Sequence, residues 1–126
     1  MRRFALLVLA PLAAAVALPG AALAHPRLLS STPAANATVA KPTQLRLAFS
    51  ETLVAPLSGI ELTMTGMPGM ANHAPMPIRG FTTSVNDKTM TIALPRALPA
   101  GTYLLKWHAV AGDQHRIENS FTFTVR

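Results

Sequence analysis

Five short runs in this chain alternate apolar and polar residues with a period of two, and that pattern limits the fold more than any other feature. From Gln44, the residues Leu45, Leu47 and Phe49 fall on one face while Arg46, Ala48 and Ser50 fall on the other. Ile60, Leu62 and Met64 alternate with Glu61 and Thr63, and Met90, Ile92 and Leu94 repeat the pattern after a turn at Asn86-Asp87-Lys88. Tyr103, Leu105, Trp107 and Ala109 share a face opposite Lys106 and His108, and Phe121, Phe123 and Val125 form a last run. Successive side chains of a strand point to opposite faces, so each run predicts a half-buried strand. Arg27-Leu28-Leu29 predicts a further short strand, and the Ser-, Pro- and Asn-rich segment from Ser30 to Ala37 predicts a turn. No segment carries a helical period, and no internal repeat is visible. Short strands separated by Pro/Gly turns predict an all-β antiparallel sandwich or Greek-key barrel.

The first 24 residues read differently. Arg2 and Arg3 form a positive start, Phe4 to Leu18 is apolar apart from Pro11, and Pro19-Gly20 interrupts the run before Ala22-Leu23-Ala24. That order fits a secretory signal peptide cut after a small residue. The run falls short of the roughly 20 apolar residues that a membrane span needs. The expected organisation is therefore a signal peptide over 1–24 and one mature domain over 25–126. Loss of the two arginines lowers the formal charge from +6 to +4. With no Lys/Arg cluster and no aromatic platform, nothing points to nucleic acid.

The chain contains no cysteine. Small exported domains often rely on disulfides, so this one must hold together by packing. A site for a soft metal must then be built from methionine, and no Fe–S or structural zinc site is indicated. Four of the six methionines lie between Met64 and Met76. Gly66, Pro68 and Gly69 break the helical reading of their spacing, since glycine costs about 1 and proline about 3 kcal/mol in a helix interior. The expectation is an irregular, exposed loop of thioethers with one imidazole, His73. Soft thioether sulfur selects soft ions such as Cu(I). Met64 also continues the Ile60/Leu62 alternation, which assigns it to the core as readily as to a metal.

Harder donors gather elsewhere. Cleavage after Ala24 leaves His25 first, where its free amine and imidazole can chelate one ion. Pro26 has no backbone N–H to offer, so further ligands must come from other parts of the fold. Asp113-Gln114-His115 lies on the turn after the Tyr103–Val110 strand, with Gly112 beside it. On an extended backbone Asp113 and His115 point to one side, either ligating one ion together or with Asp113 orienting His115. Such nitrogen and oxygen donors suit tetragonal Cu(II). Glu51 ends a strand and is by itself an ordinary surface charge, as Asp-x-His is by itself a common pattern. His108 reads as a surface strand residue, and Tyr103 and Trp107 as core.

Six segments together resemble the periplasmic copper-resistance CopC/PcoC family over essentially the whole mature chain. They are residues 25–33 (HPRLLSSTP), 45–51 (LRLAFSE), 64–70 (MTGMPGM), 100–103 (AGTY), 107–115 (WHAVAGDQH) and 121–125 (FTFTV). The resemblance implies a Greek-key β-barrel or sandwich, cupredoxin-like or immunoglobulin-like, with metal sites at opposite ends. It implies a Cu(II) site from the His25 amine and imidazole, Asp113 and His115, with Glu51 nearby as a ligand or as support to one. It implies a Cu(I) site from Met64, Met67, Met70, Met76 and His73. Asn72 departs from the family pattern as an extra residue before His73, and His108 stands where an arginine is expected. The implied role is a monomeric periplasmic carrier that sequesters copper and passes it on, without catalysis. The implied partner is a membrane copper transporter or another periplasmic copper protein.

Two other readings compete. An N-terminal histidine beside a second histidine resembles the histidine brace of lytic polysaccharide monooxygenases, which would make the protein a copper enzyme. Those enzymes need a flat, often aromatic, substrate face, and this chain has one Trp and one Tyr, both assigned to the core. The plainest reading is a secreted β-sandwich that binds no metal.

Overall fold

The computed structural model describes residues 25–126; the signal peptide assigned to 1–24 lies outside them. The strands are β1 (Leu28–Thr32), β2 (Thr38–Val39), β3 (Gln44–Phe49), β4 (Gly59–Gly66), β5 (Met76–Ile78), β6 (Thr82–Asn86), β7 (Thr89–Ala93), β8 (Gly101–Val110) and β9 (Arg116–Val125). They form one sheet in the order β1-β3-β7-β6 and a second in the order β2-β9-β8-β4-β5. Every pairing is antiparallel except the two-residue contact of β2 with β9. Among the described residues, helical structure is confined to a 3-10 turn at Ala55–Leu57.

The alternating runs bury the faces their pattern assigns. Leu45, Leu47 and Phe49 of β3 and Met90 and Ile92 of β7 face Ile60, Leu62 and Met64 of β4. Tyr103, Leu105, Trp107 and Ala109 of β8, with Phe123 and Val125 of β9, complete the same core. Burying each large aliphatic or aromatic side chain contributes about 1.5–3 kcal/mol, and with no disulfide these contacts carry the fold. The rings interlock: Phe49 meets Trp107 edge-on at 5.2 Å, and Tyr103 stacks on Phe123 at 5.4 Å. The Tyr103 hydroxyl donates to the Pro99 carbonyl at 2.6 Å, which satisfies its one polar atom inside the core.

Several details differ from the sequence expectation, β2 among them because its two residues carry no alternation. Ser30, Ser31 and Thr32 continue β1 rather than forming a turn, because they pair with Ala48, Leu47 and Arg46 of β3. β5 and β6 were not expected: β5 contains Pro77, and β6 buries only part of its Thr83 and Val85. Pro77 is tolerated because β5 is the outermost strand of its sheet, where a missing N–H breaks no central ladder.

The topology separates two ends. Val110 pairs with Arg116 at one end of the β8–β9 hairpin, and Gly101 pairs with Val125 at the other. The ten residues of β8, at about 3.3 Å each, hold these ends roughly 30 Å apart. The His25 segment and the 111–115 turn share the first end, and the 66–75 connection lies at the second.

Candidate functional site

At the first end the first described segment is fixed by Pro26, whose side chain is fully buried. Next to it, the Arg27 amide donates to the Ser50 hydroxyl and the Ser50 amide donates to the Arg27 carbonyl, both at 2.9 Å. His25 is thereby held at the sheet end while its own side chain remains exposed. The sequence reading gave weight to Glu51 of the Phe-Ser-Glu run, yet the residue that grips the N-terminal segment is Ser50. A hydroxyl one position before the acidic residue was the available signal.

The facing donors come from the β8–β9 turn. Gln114 adopts a left-handed φ of 63° and donates its amide to the Ala111 carbonyl at 2.9 Å. The His115 amide donates to Asp113 Oδ1 at 3.2 Å. Asp113 and His115 are therefore brought together by a tight, side-chain-supported turn, not by the extended backbone expected from their spacing. Asp113 Oδ2 is left pointing at the imidazoles, 2.5 Å from His25 Nδ1 and 3.6 Å from His115 Nδ1. The Asp113 side chain is 7% exposed, against 56% for His25 and 73% for His115. A shielded carboxylate thus floors a site whose imidazoles face outward.

His25, Asp113 and His115 place ligand atoms within 4.8 Å of one another, the one such group found among the described residues. Asp113 Oδ2 is buried with no aligned hydrogen-bond donor. Its close neighbour is the His25 imidazole edge; a buried carboxylate is unfavourable without a cation beside it, and a metal ion between the rings would supply one. The donor set therefore fits a metal ion. Glu51, half-buried just beyond β3, stays outside the group.

The second end is ordered where the sequence suggested an irregular loop. The Met67 amide donates to the Met70 carbonyl at 2.9 Å, and the Met70 amide returns a bond to the Met67 carbonyl at 2.8 Å. Pro68 and Gly69, the latter with φ of 81°, form the tip. Proline followed by a positive-φ glycine is the requirement of a type II turn, so the residues that exclude a helix build a hairpin instead. Met67, Met70 and Met76 are exposed. Met64 is buried in the core, as its alternation allowed, and pairs with Met76 across β4 and β5.

Two glycines seat this hairpin. A Cβ on Gly66 would lie 2.5 Å from the Ala71 carbonyl oxygen, and one on Gly101 would lie 2.5 Å from that of Gly66. Three backbone segments approach closely there, with the Met64 methyl 3.1 Å from where a Gly101 Cβ would lie. His73 is half-buried close by, its amide bonded to the Thr65 carbonyl at 3.2 Å. Its Nδ1 lies 2.7 Å from the Ala74 carbonyl oxygen, and its Nε2 is buried without a partner. An Nδ1–H donated to that carbonyl leaves the Nε2 lone pair free, the tautomer needed for metal binding through Nε2. The extra Asn72 is an exposed residue of this segment and leaves His73 within it.

His108 belongs to neither end. It is half-buried on the outer face of β8, opposite Gly59 of β4 and Glu118 of β9. A Cβ on Gly59 would come within 3.2 Å of its ring. Burial, then the Arg116 guanidinium, lowers its pKa, against the opposite pull of Glu118 and Glu61.

Known proteins carry the same architecture. Copper resistance protein C of Escherichia coli is 47% identical over 106 residues, 83% of this chain and 84% of the relative. Copper resistance protein C of Pseudomonas syringae pv. tomato is 45% identical over 115 residues, 90% of each chain. Among solved structures, PcoC, a methionine-rich copper resistance protein from Escherichia coli, superposes with a TM-score of 0.73 at 45% identity. That match covers 82% of this chain and all of the other. The CopC domain family model matches residues 28–126, and with relatives of this identity and coverage the chain belongs to the CopC family.

Proposed function

We propose that the protein is a periplasmic copper carrier in copper resistance, holding Cu(II) at the His25 end and Cu(I) at the methionine end, and passing copper on without catalysis. The observation that carries this reading is the convergence of His25, Asp113 and His115 around a shielded carboxylate oxygen that both imidazoles face. Cleavage after Ala24 adds the His25 amine, giving three nitrogen donors and one oxygen, a set suited to tetragonal Cu(II). The names of the relatives supply copper as the cargo.

At the other end, thioethers of Met67, Met70 and Met76 with His73 Nε2 favour Cu(I). Met64 supports the site from beneath, through β4. Exposed thioethers can be exchanged one at a time by the soft ligands of a receiving protein, a membrane copper transporter or another periplasmic copper protein. The enzyme reading loses its substrate face, because Trp107 and Tyr103 are both buried in the core.

Adding one residue before His25 tests the first site. Cu(II) affinity should drop sharply while Cu(I) uptake is unchanged; an unaltered Cu(II) affinity would remove the amine from the site. Replacing Met67 and Met70 with Leu tests the second, since Leu and Met exchange costs less than about 1.5 kcal/mol of stability. Cu(I) retention should be lost with the fold intact.

A further inference from the structure

The methionines of the described chain divide sharply by exposure. Met64 and Met90 are 5% and 0% exposed, whereas Met67, Met70 and Met76 are 38%, 52% and 48% exposed. The exposed three occupy the hairpin tip and the outermost strand of one sheet. The chain has no cysteine, the side chain that two-electron oxidants usually reach first through its thiolate. Trp107 and Tyr103 are shielded in the core. Among the described residues the accessible sulfur is therefore concentrated at one end.

We propose that Met67, Met70 and Met76 form a reversible oxidation switch, in which hypohalous acid or peroxide converts their thioethers to sulfoxides and closes the soft-metal end alone. The inference rests on the reading of that end as the Cu(I) site. A sulfur lone pair takes the electrophilic halogen of hypohalous acid as the O–halogen bond breaks and hydroxide leaves; water then adds to the halosulfonium and the S–O bond forms. Halide leaves with the S–halogen bonding pair, and one proton is released net. With hydrogen peroxide the O–O bond breaks and water leaves. In each case sulfur is oxidised by two electrons and the oxidant is reduced by two. The lone pair consumed is the one a soft metal would use, and the product is a polar sulfoxide whose hard oxygen does not suit Cu(I).

The surrounding structure confines the damage. The hairpin is closed by backbone bonds between Met67 and Met70, which do not involve sulfur, and Met64 and Met90 keep the core apolar. A sulfoxide at any exposed position meets solvent, so the fold and the His25 end persist. The tip is also accessible to a methionine sulfoxide reductase, where two thiols become a disulfide, the oxygen leaves as water and the thioether returns. A soft ion already bound occupies the lone pairs and protects them. The empty site is thus the sensitive one.

The test treats the metal-free protein with graded hypochlorite or hydrogen peroxide and maps oxygen addition by peptide mass spectrometry. Cu(I) and Cu(II) uptake are then titrated separately against competing chelators. Oxygen should appear on Met67, Met70 and Met76 before Met64 and Met90, and Cu(I) uptake should fall in step. Cu(II) uptake and the thermal midpoint should hold, and reductase with a dithiol should restore Cu(I) uptake. Prior loading with Ag(I), a soft ion that does not cycle under these conditions, should slow the oxidation. Equal oxidation of Met64 or Met90, or full Cu(I) uptake after complete oxidation of the exposed three, would overturn the switch. If the untreated protein takes up no Cu(I), the site itself falls and the switch with it; retained uptake after oxidation removes the switch only.

Discussion

At the His25 end the residues brought together lie some ninety positions apart in sequence and meet because β1 pairs with β3 and β8 turns into β9. At the methionine end the donors come from one short stretch, 64–76, folded on itself. The first arrangement is built by tertiary structure: Pro26 is buried, Ser50 grips Arg27, and Asp113 is shielded beneath two imidazoles. The second is local and open, a hairpin of exposed thioethers resting on bare glycine backbone. A buried carboxylate suits retention, because it is poorly solvated without its cation. Exposed, exchangeable thioethers suit delivery. The contrast holds only if each end can be damaged without the other.

The largest separation should come from Asp113→Asn, which keeps the Oδ1 acceptor for the His115 amide but removes the charge. Changes to groups that merely orient a metal ligand cost about 10–100-fold in affinity, so loss of this carboxylate should reach at least the upper figure for Cu(II). Cu(I) affinity should not move, and equal losses in chelator competition would end the idea of independent ends. Gly66→Ala is the mirror experiment. Its Cβ would meet the Ala71 carbonyl oxygen at 2.5 Å, and crowding of this kind costs about 1–3 kcal/mol. A lower thermal midpoint with weakened Cu(I) and unchanged Cu(II) binding is expected; unaltered Cu(I) binding would show that the seat does not shape the site.

Smaller effects sharpen the picture. Ser50→Ala removes the acceptor for the Arg27 amide, worth about 1 kcal/mol, and should loosen His25 enough to weaken Cu(II) alone. Tyr103→Phe removes the hydroxyl bond to Pro99, beside the glycine seat, at a similar cost of about 1 kcal/mol. Burial pushes Tyr103 up to about 12, so the fold favours the neutral phenol. That contribution is complete below the usual value of about 10 and is lost as pH rises toward the raised one. The Phe variant should therefore flatten the alkaline limb of stability between those values, measured by unfolding at stepped pH.

How much of this was readable beforehand depended on how much each strand buries. β3, β4, β7 and β8 bury one face throughout and β9 does so over its last residues, so their period of two is written in large apolar residues. β6 presents Thr82, Thr83 and Ser84 with only Val85 as an apolar marker, β5 contains a proline, and β2 is two residues long. None of these carries a pattern strong enough to see. Asp113 and His115 were visible as a pair, but the left-handed Gln114 that brings them together was not, since nothing marks an isolated glutamine for that conformation. The thioether segment was visible by composition. Its closure into a hairpin is written in Pro68-Gly69, a pair that both excludes a helix and sets a type II turn.

The sheet margins bear on how copies of this protein behave in a crowded compartment. Proline, shortness and bulges each discourage a second chain from adding to an exposed strand. β5 has Pro77, β2 offers two residues, and β1 shifts register between Leu28 and Ser30. Among the described strands, β6 is the remaining margin, five residues paired without interruption on its inner side only. Association between copies by strand addition would start along Thr82–Asn86, and a lysine placed at Ser84 would close that route without touching either proposed metal-binding end.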